Sequence, residues 1–568
     1  MTELTMSPTL APSITVAART ELAAYDIGLQ QLLFNRGITT KAAAEVFLNP
    51  DYDIQLHSPL LLHDIARATT RIKAAMQAGE QIAIFSDYDC DGIPGAVVAH
   101  DYFTAIGYTQ FQNYIPHRHY EGFGLSVSAV EKLATGGVTL IITIDCGTSD
   151  VAAVARAREL GVDVIITDHH EPGATLPNAL AIINPKLGSY PFPDLCGAAV
   201  MYKLVQALLM TSDTTLAPGH EKWWLDMVGI ATIADMVPLV GENRVFAHYG
   251  LKVLRKSRRP GLQQLLRKAG MNQAYLTEED IGFTIGPRIN AASRMDAPEQ
   301  AFTLLTTTDE GEAGSAVAHL EKLNNERKGS VAQMTKELHK RLADMTELPP
   351  VLVFGNPLWR PALAGLAANK LAEEHNRPVF IWGRDGNDCI KGSCRSGGGV
   401  SVVRLMETAT QLFHEHGGHH MSGGFSVRDE HIFTLADHLN DAYVTLGDAA
   451  LVPKELSVDA ALTLEDIFGE LRRSLQKIAP FGTGNPKPLF VFSAVVPQSV
   501  SQFGKTGEHL KLQFETKRGP LEAIAFFATP ETFTGTPVAG QANTLLAHVE
   551  ESFFMGRKQT RLRIVDIL

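Results

Sequence analysis

From Gln81 onward, apolar residues come in short unbroken strings, and several strings stop at clusters of acids or imidazoles. Gln81-Ile-Ala-Ile-Phe-Ser runs into Asp87-Tyr-Asp89-Cys-Asp91-Gly92, and Ile141-Ile-Thr-Ile runs into Asp145-Cys-Gly147. Val162-Asp-Val-Ile-Ile-Thr runs into Asp168-His169-His170. Strings of this length, apolar on both faces and separated by helix-length stretches, predict buried parallel strands at 81–86, 138–144, 162–167 and 179–183. Helices between them include Gly95 to Ala105 and Asp150 to Leu160. The fold class predicted is α/β with a doubly wound parallel sheet, in which ligands gather beyond the carboxyl ends of the strands. Gly92 and Pro94 mark where the chain leaves the first strand.

Up to residue 75 the pattern is helical, with breaks at Asn49-Pro50 and Ser58-Pro59. Past the strands, helical patterns cover 197–210, 222–235 and 298–345. The last, through Leu320-Glu-Lys-Leu-Asn-Asn-Glu-Arg-Lys328, is polar enough to connect two domains. The α/β pattern restarts after Pro349-Pro350 with Val351-Leu-Val-Phe354, Val379-Phe-Ile-Trp382 and a Gly-rich segment at 392–399. Beyond Pro453, strands such as Leu489-Phe-Val-Phe492, Leu510-Lys-Leu-Gln-Phe514 and Ala523-Ile-Ala-Phe-Phe527 alternate with turn signals and predict a small β-barrel. The expected division is a helical segment over 1–75 packing on the core, a first α/β domain over 76–310, a connecting helix over 311–348, a smaller α/β domain over 349–447 and a barrel over 452–568.

A chain of 568 residues exceeds what one core organises, which agrees with that division. The amino terminus has no basic segment leading into an apolar core, and no apolar run reaches ~18 residues, so neither a secretory signal nor a membrane span is expected. Five cysteines without a Cys-x-x-Cys pair read as reduced thiols, pointing to the cytoplasm. The net charge of −12 speaks mildly against a nucleic-acid partner, but clustering matters more than the sum. Arg255-Lys-Ser-Arg258-Arg259 and Arg472-Arg473 with Lys477 are the clusters, and each reads first as a solvated helix face.

Four strand-end or helix-end sites collect in the first α/β domain: Asp87/Asp89/Asp91, Asp145, Asp168-His169-His170, and Asp235 ahead of Pro238. Alone, each reads as a turn or surface feature; together they suggest one site. Oxygen-rich ligation with one or two imidazoles suits Mn²⁺ or Mg²⁺. Two such ions ~3.5–4 Å apart stabilise both oxygens of an in-line phosphoryl displacement. The spacing therefore predicts phosphoester or phosphoanhydride hydrolysis. Neither a Gly-x-Ser-x-Gly elbow nor a Walker-type phosphate loop is present.

These residues resemble the four motifs of the DHH phosphoesterases: Asp87-Tyr-Asp-Cys-Asp-Gly, Ile144-Asp-Cys-Gly, Asp168-His-His and Ala234-Asp235. The resemblance narrows to the RecJ family of single-stranded-DNA-specific exonucleases and extends over almost the whole chain. Leu33-Phe-Asn-Arg-Gly-Ile-Thr-Thr is similar to its leading segment. Tyr114-Ile-Pro-His-Arg-His-Tyr-Glu-Gly-Phe-Gly-Leu-Ser and Gly286-Pro-Arg-Ile-Asn-Ala-Ala-Ser-Arg-Met are similar to its catalytic core. Trp359-Arg-Pro, Lys391-Gly-Ser-Cys-Arg-Ser and Gly417-Gly-His-His-Met-Ser-Gly-Gly are similar to its DHHA1 domain. Pro480-Phe-Gly-Thr-Gly-Asn-Pro-Lys-Pro-Leu-Phe is similar to the entry of its OB-type barrel.

The resemblance implies that Asp89 and Asp145 hold one divalent ion, and that Asp91, Asp145, His169 and Asp235 hold the other. Asp87 orients ligands, and His170 sits beside the scissile phosphate as an electrostatic or proton-handling group. Relatives place a histidine two residues before the first Asp; Phe85 stands there and cannot ligate. Ser393 and Arg395 are expected to grip the 5′ end of the strand, in a segment whose backbone N–H groups are free for an oxyanion. Gly418 and His419 are expected to line the same cleft, with Arg118, Arg288 and Arg294 contacting phosphates. Phe503, Lys505, His509 and Lys511 of the barrel are expected to hold single-stranded DNA by stacking and charge.

The activity implied is a 5′→3′ exonuclease of single-stranded DNA that uses two Mn²⁺ or Mg²⁺ ions, releases 5′-mononucleotides and acts in DNA repair and recombination. A narrow channel between the two α/β domains would exclude duplex. A monomer served by a helicase and a single-stranded-DNA-binding protein is the expected setting. Two rivals are a DHH hydrolase of short oligonucleotides or cyclic dinucleotides, which needs no barrel, and a non-catalytic DNA-binding scaffold, which needs no ligands.

Overall fold

The computed structural model describes residues 8–211, 216–295, 297–447, 456–504, 507–554 and 557–568, and the side chains of all of these except 552–554, 557 and 558. The chain forms two compact units. One comprises Leu56–Val237 and Gly241–Lys454; the other gathers Met1–Gln55, Pro238–Val240 and Glu455–Leu568.

The larger unit is built on two sheets. In the first, β1 (Gln81–Ser86), β2 (Phe111–Tyr114), β3 (Val138–Ile144), β4 (Asp163–Thr167) and β5 (Ala181–Ile183) are all parallel in the order β2-β1-β3-β4-β5. That order reverses direction between β1 and β3, the place where doubly wound sheets leave a crevice beyond the strand ends. Ile82 to Phe85 and Leu140 to Ile142 are fully buried, which is why these strands read as unbroken apolar strings. β2 escaped the sequence pattern because Phe-Gln-Asn-Tyr is a short, half-exposed edge strand.

Helix α1 (Gly92–Ala105) leaves the end of β1 and packs on α2 (Gly197–Thr211). Gly95 makes that approach close: a Cβ there would stand 2.6 Å from Ile144 Cγ2 and 3.2 Å from Ala198 Cα. Helices α3 (Leu225–Ala234) and α4 (Gly241–Leu254) cross at a glycine pair, where a Cβ on Gly229 would lie 2.6 Å from Gly250 Cα. This crossing fixes the carboxyl end of α3, which carries Asp235. Of the basic cluster at 255–259, Arg259 is not solvated: it pairs with Asp226 at 2.9 Å and with Asp101 at 2.6 Å.

The stretch expected at 298–345 divides into a helix at Glu299–Thr306 and the long α6 (Glu310–Ala343), which follows α5 (Gly286–Met295). Asp309 caps α6 by accepting from Glu312 N at 2.7 Å, a physical stop between the two pieces. The second sheet follows: β6 (Leu352–Gly355), helix α7 (Pro361–His375), β7 (Val379–Arg384), β8 (Ile390–Arg395), β9 (Phe413–His419) and β10 (Ser422–Val427). Its order is β9-β10-β8-β7-β6, parallel only between β6 and β7.

In the smaller unit, the helices Val16–Glu21, Ile27–Asn35 and Lys41–Leu48 sit beside a seven-stranded sheet. Leu29, Leu32 and Leu33 share one core with Phe490, Phe492 and Phe514, and Asn35 Nδ2 donates to Asp459 Oδ1 at 2.9 Å. The amino-terminal segment expected as one piece over 1–75 thus divides near residue 55. Its first part belongs with the carboxyl-terminal sheet, whereas the helix Ile65–Ala78 buries Ile65, Ala68 and Ile72 in the larger unit. Pairing runs through Ala460–Ala461, β11 (Phe490–Val495), β15 (Asn543–Phe554), β16 (Arg557–Ile567), β14 (Gly519–Ala525), β13 (His509–Thr516) and β12 (Ser499–Phe503). Among the described residues this ladder runs from Ala460–Ala461 at one end to β12 at the other. No helix among the described residues is long and apolar enough to cross a membrane.

Candidate metal centre

Three loops at adjacent strand ends and one helix end bring the acids and imidazoles together. After β1, Asp87 N donates to Ile144 O at 3.0 Å, which seats the loop on the neighbouring strand. Asp89 Oδ1 accepts from Asp91 N at 2.8 Å and Gly92 N at 3.2 Å, turning the chain into α1. Gly92 is required there, because a Cβ would lie 2.4 Å from Asp87 O. Asn290 Oδ1 braces the loop from α5 by accepting from Cys90 N at 3.0 Å. Asp145 follows β3 with a left-handed φ of 62°, a strained setting for a residue without glycine's freedom and a feature that concentrates at functional sites.

Asp91 is 1% exposed, and its carboxylate accepts from Gly197 N at 2.6 Å and Ala198 N at 2.7 Å, the first amides of α2. A Cβ on Gly197 would stand 2.5 Å from Asp145 Cβ, so only glycine lets α2 start against the site. After β4, Asp168 Oδ1 accepts from His169 N at 2.7 Å and lies 2.8 Å from His170 Nδ1, while Oδ2 accepts from Thr148 N at 2.9 Å. Asp235 ends α3, and Met236 follows with a φ of 61°.

His169 Nε2 stands 3.1 Å from Asp145 Oδ1, 3.7 Å from Asp91 Oδ2 and 3.8 Å from Asp235 Oδ2. Three overlapping donor sets result, each with ligand atoms within 4.8 Å of one another: Asp87/Asp89/Asp145, Asp91/His169/Asp235 and Asp145/His169/His170. Asp87, expected only to orient ligands, is thus placed among the donors. Phe85 is wholly buried and stacked on Tyr114 at 5.4 Å, so it contributes none.

Burial and mutual repulsion raise the carboxyls of Asp87, Asp91, Asp145 and Asp235. Asp87 and Asp145 lie well above the usual range, first through burial and then through their acidic neighbours. The same causes push Asp91 to about 7 and Asp235 to about 9. Burial lowers His169 to about 4, leaving a neutral imidazole able to ligate. His170 differs: burial is the largest single influence and opposes its charge, but the bond to Asp168 and the negative charges of Asp168, Asp235 and Asp91 together outweigh it and lift the imidazole to about 9. The buried oxygens Asp87 Oδ1 and Asp145 Oδ1 have no hydrogen-bond partner, even with His169 Nε2 close to the second. Crowded carboxylates with orphaned oxygens fit hard divalent cations, whose charge removes the repulsion.

The substrate-side expectations fare unevenly. Arg118 lies over the Tyr88 ring at 4.8 Å, and its charge acts on Asp87. Arg294 donates to Ala362 O in α7, and His119 Nε2 lies 3.0 Å from Arg294 O. Its charge is disfavoured by burial and then by Arg118, Arg327 and Arg395, so guanidinium groups from both α/β domains converge there. Arg288 is instead paired with Glu321 of α6 at 2.5 Å. The segment expected to offer free backbone N–H groups is strand β8, whose residues pair with β7 and β10. Its alternation was hidden by glycine: Ile390, Gly392 and Cys394 are buried, while Lys391, Ser393 and Arg395 share the half-exposed face. A Cβ on Gly392 would lie 2.3 Å from Phe425 Cζ. Gly418 and His419 form the exposed end of the β9–β10 hairpin, and His419 acts electrostatically on Glu171.

Lys186 was missed. It pairs with Glu171 at 2.8 Å and acts on His169 and Asp235. Asn184-Pro-Lys186 follows β5 as the acids follow the other strands, which was the available signal. Phe123, 57% exposed, sets its ring against His170 at 5.5 Å. In the smaller unit, Phe503, His509, Phe526 and Phe527 form a ring cluster, with Arg563 over Phe526 at 4.5 Å. Lys511 lies 3.5 Å from Glu522, and Lys505 falls outside the described residues.

Comparison with known proteins agrees with this architecture. The DHH family, N-terminal domain, matches residues 81–232; the DHHA1 domain matches 349–445; the RecJ OB domain matches 458–566. The single-stranded-DNA-specific exonuclease RecJ of Bacillus subtilis is 34% identical over 94% of this chain and 67% of its own length. That of Salmonella typhimurium is 32% identical over 89% of this chain and 90% of its own. The crystal structure of RecJ in complex with Mn²⁺ from Thermus thermophilus superposes with a TM-score of 0.80 at 26% identity, covering 98% of this chain and 78% of that one. With three domains matched in order and a relative 32% identical over 90% of its own length, the chain belongs to the RecJ family.

Proposed function

We propose that this chain is a metal-dependent exonuclease that removes nucleotides one at a time from the 5′ end of single-stranded DNA. The observation that carries the reading is the convergence of Asp87, Asp89, Asp91, Asp145, His169, His170 and Asp235 into overlapping donor sets, in a chain whose relatives are named as exonucleases of this specificity. Asp87, Asp89 and Asp145 would hold one divalent ion; Asp91, His169 and Asp235, with Asp145 shared, would hold the other. Bound there, Mn²⁺ or Mg²⁺ supplies Lewis-acid stabilisation of the attacking and leaving oxygens.

The chain's own residues do the rest. His170, kept protonated by Asp168, presents positive charge to the phosphate and has a proton to give to the departing 3′ oxygen. Arg118, Arg294 and Arg395 receive the phosphates that relieve their mutual repulsion. Ser393 and Arg395 sit on the same face of β8 and take the 5′ phosphate, with Gly418 and His419 over the cleft. Arg288 holds α5 to α6 rather than contacting DNA. In the smaller unit, Phe527 is 84% exposed and, with Phe503, His509 and Lys511, offers a stacking surface for bases. The chain works as a cytoplasmic monomer in repair and recombination, on strands opened by a helicase and presented with a single-stranded-DNA-binding protein.

The test offers Mn²⁺ with a long 5′-labelled single strand, the matching duplex and a dinucleotide. Mononucleotides released from the long strand alone, starting at the label, support the reading. Cleavage of the dinucleotide alone would replace it with a small-substrate hydrolase, and no cleavage would leave a binding scaffold.

A further inference from the structure

A second group of metal-ligating side chains lies away from the donor sets described above. His339 sits near the end of α6, and Glu374 and His375 close α7, after which Asn376 turns the chain in a left-handed conformation. One ligand atom from each of His339, Glu374 and His375 lies within 4.8 Å of the other two. His339 Nε2 is 2.6 Å from Glu374 Oε2, a bond that by itself explains two of the three residues as a clasp between helices. It does not explain His375. That imidazole is half-buried, and its Nε2 is sealed from solvent without a hydrogen-bond partner, a desolvated polar atom that the clasp leaves uncompensated.

We propose that His339, Glu374 and His375 form a separate site for a borderline transition ion of the Zn²⁺ type, which ties α6 to α7. Two imidazoles and one carboxylate are an established zinc donor set, with water completing the tetrahedron. They also differ in kind from the carboxylate-dominated catalytic cluster, so nitrogen-preferring ions are drawn here and oxygen-preferring ions there. The geometry is within reach. Ligands about 2.0–2.1 Å from zinc stand about 3.3 Å apart. The His339–Glu374 pair therefore opens by about 0.7 Å, and the widest separation closes by no more than about 1.5 Å. His339 and Glu374 are 44% and 36% exposed at their side chains, free to make such moves. Lys370, 3.9 Å from Glu374 Oε1, is a nearby cation on α7 and swings to solvent when an ion arrives.

The test uses the full chain, stripped with chelator and held in excess Mg²⁺, with Zn²⁺ as the probe. His339→Gln keeps a donor for Glu374 but loses the ligating nitrogen; Glu374→Gln keeps an acceptor for His339 but loses the charge. Equilibrium dialysis should show one fewer zinc per chain in each variant than in the wild type. Thermal unfolding should show a zinc-dependent rise of a few degrees in the wild type that both variants lack. Exonuclease rates in Mg²⁺ alone should match in all three proteins. Equal zinc stoichiometry and equal thermal shifts in wild type and variants would overturn the proposal.

Discussion

Replacing Asp235 with Asn should make the metal-free protein more stable and the metal-loaded protein less so. Asp235 is half-buried near Asp91 and Asp89, and desolvation first, then those charges, lifts its carboxyl from 3.8 to about 9. At 1.36 kcal/mol per factor of ten in proton affinity, that span sets a ceiling of about 7 kcal/mol. The neighbouring acids share the repulsion and shed it together when any one is neutralised, so the separable part is about 1–3 kcal/mol. A carboxyl raised in the fold contributes stability fully below its ordinary value and loses it as pH climbs towards the folded value. The chelator-treated wild type should therefore weaken steadily between about pH 4 and pH 9, and D235N should weaken less. Asn keeps the shape of the residue and suits its place at the end of α3. Urea unfolding across this range, with chelator or with excess Mn²⁺, reads the effect. In chelator at about pH 8 the D235N midpoint should exceed the wild type's, while the gain on adding Mn²⁺ shrinks and nuclease activity falls about 100-fold or more. A D235N protein weaker than wild type in chelator, or one with an undiminished Mn²⁺ gain, would refute the reasoning.

Asp168→Asn keeps an acceptor for His170 but removes the negative charge that helps lift its imidazole to about 9; burial then favours the neutral imidazole, and the alkaline fall in the pH–rate profile should move to lower pH. Arg395→Ala should raise KM for single-stranded DNA about 10-fold with kcat little changed. Arg288→Ala, which breaks the pair with Glu321, should instead lower stability by about 1–3 kcal/mol and leave KM unchanged, as urea melts and steady-state kinetics will show. Gly250→Ala places a Cβ 2.4 Å from Gly229 Cα and should cost about 1–3 kcal/mol in a urea melt, through overpacking at the crossing that carries Asp235.

The sheet beneath the metal centre was legible because β1, β3 and β4 are buried on both faces and spell unbroken apolar strings. The acids that end those strings were legible for the same reason, since a strand that stops at a carboxylate aims it at the crevice. What escaped depends on partners far away in sequence. Arg288 and Arg294 belong to one motif, yet Glu321 claims the first and Ala362 O holds the second. Only the fold of α6 and α7 decides that. Glycine disguised β8 as a loop, because the residue that fills its missing side chain, Phe425, lies on another strand. The amino-terminal helices carry no mark that their core lies with Phe490 and Phe514, more than four hundred residues later. Lys186 was passed over because one lysine after a strand looks like any solvated lysine until Glu171 and Asp235 are placed beside it.

Anomalous scattering from crystals soaked in Mn²⁺ puts the central claim to its most direct trial. Two peaks are expected, one among the carboxylates of Asp87, Asp89 and Asp145, and one among Asp91, His169 and Asp235 with Asp145 between them. Soaked crystals with no anomalous density inside these sets, and with the orphaned oxygens of Asp87 and Asp145 turned to other partners, would contradict it.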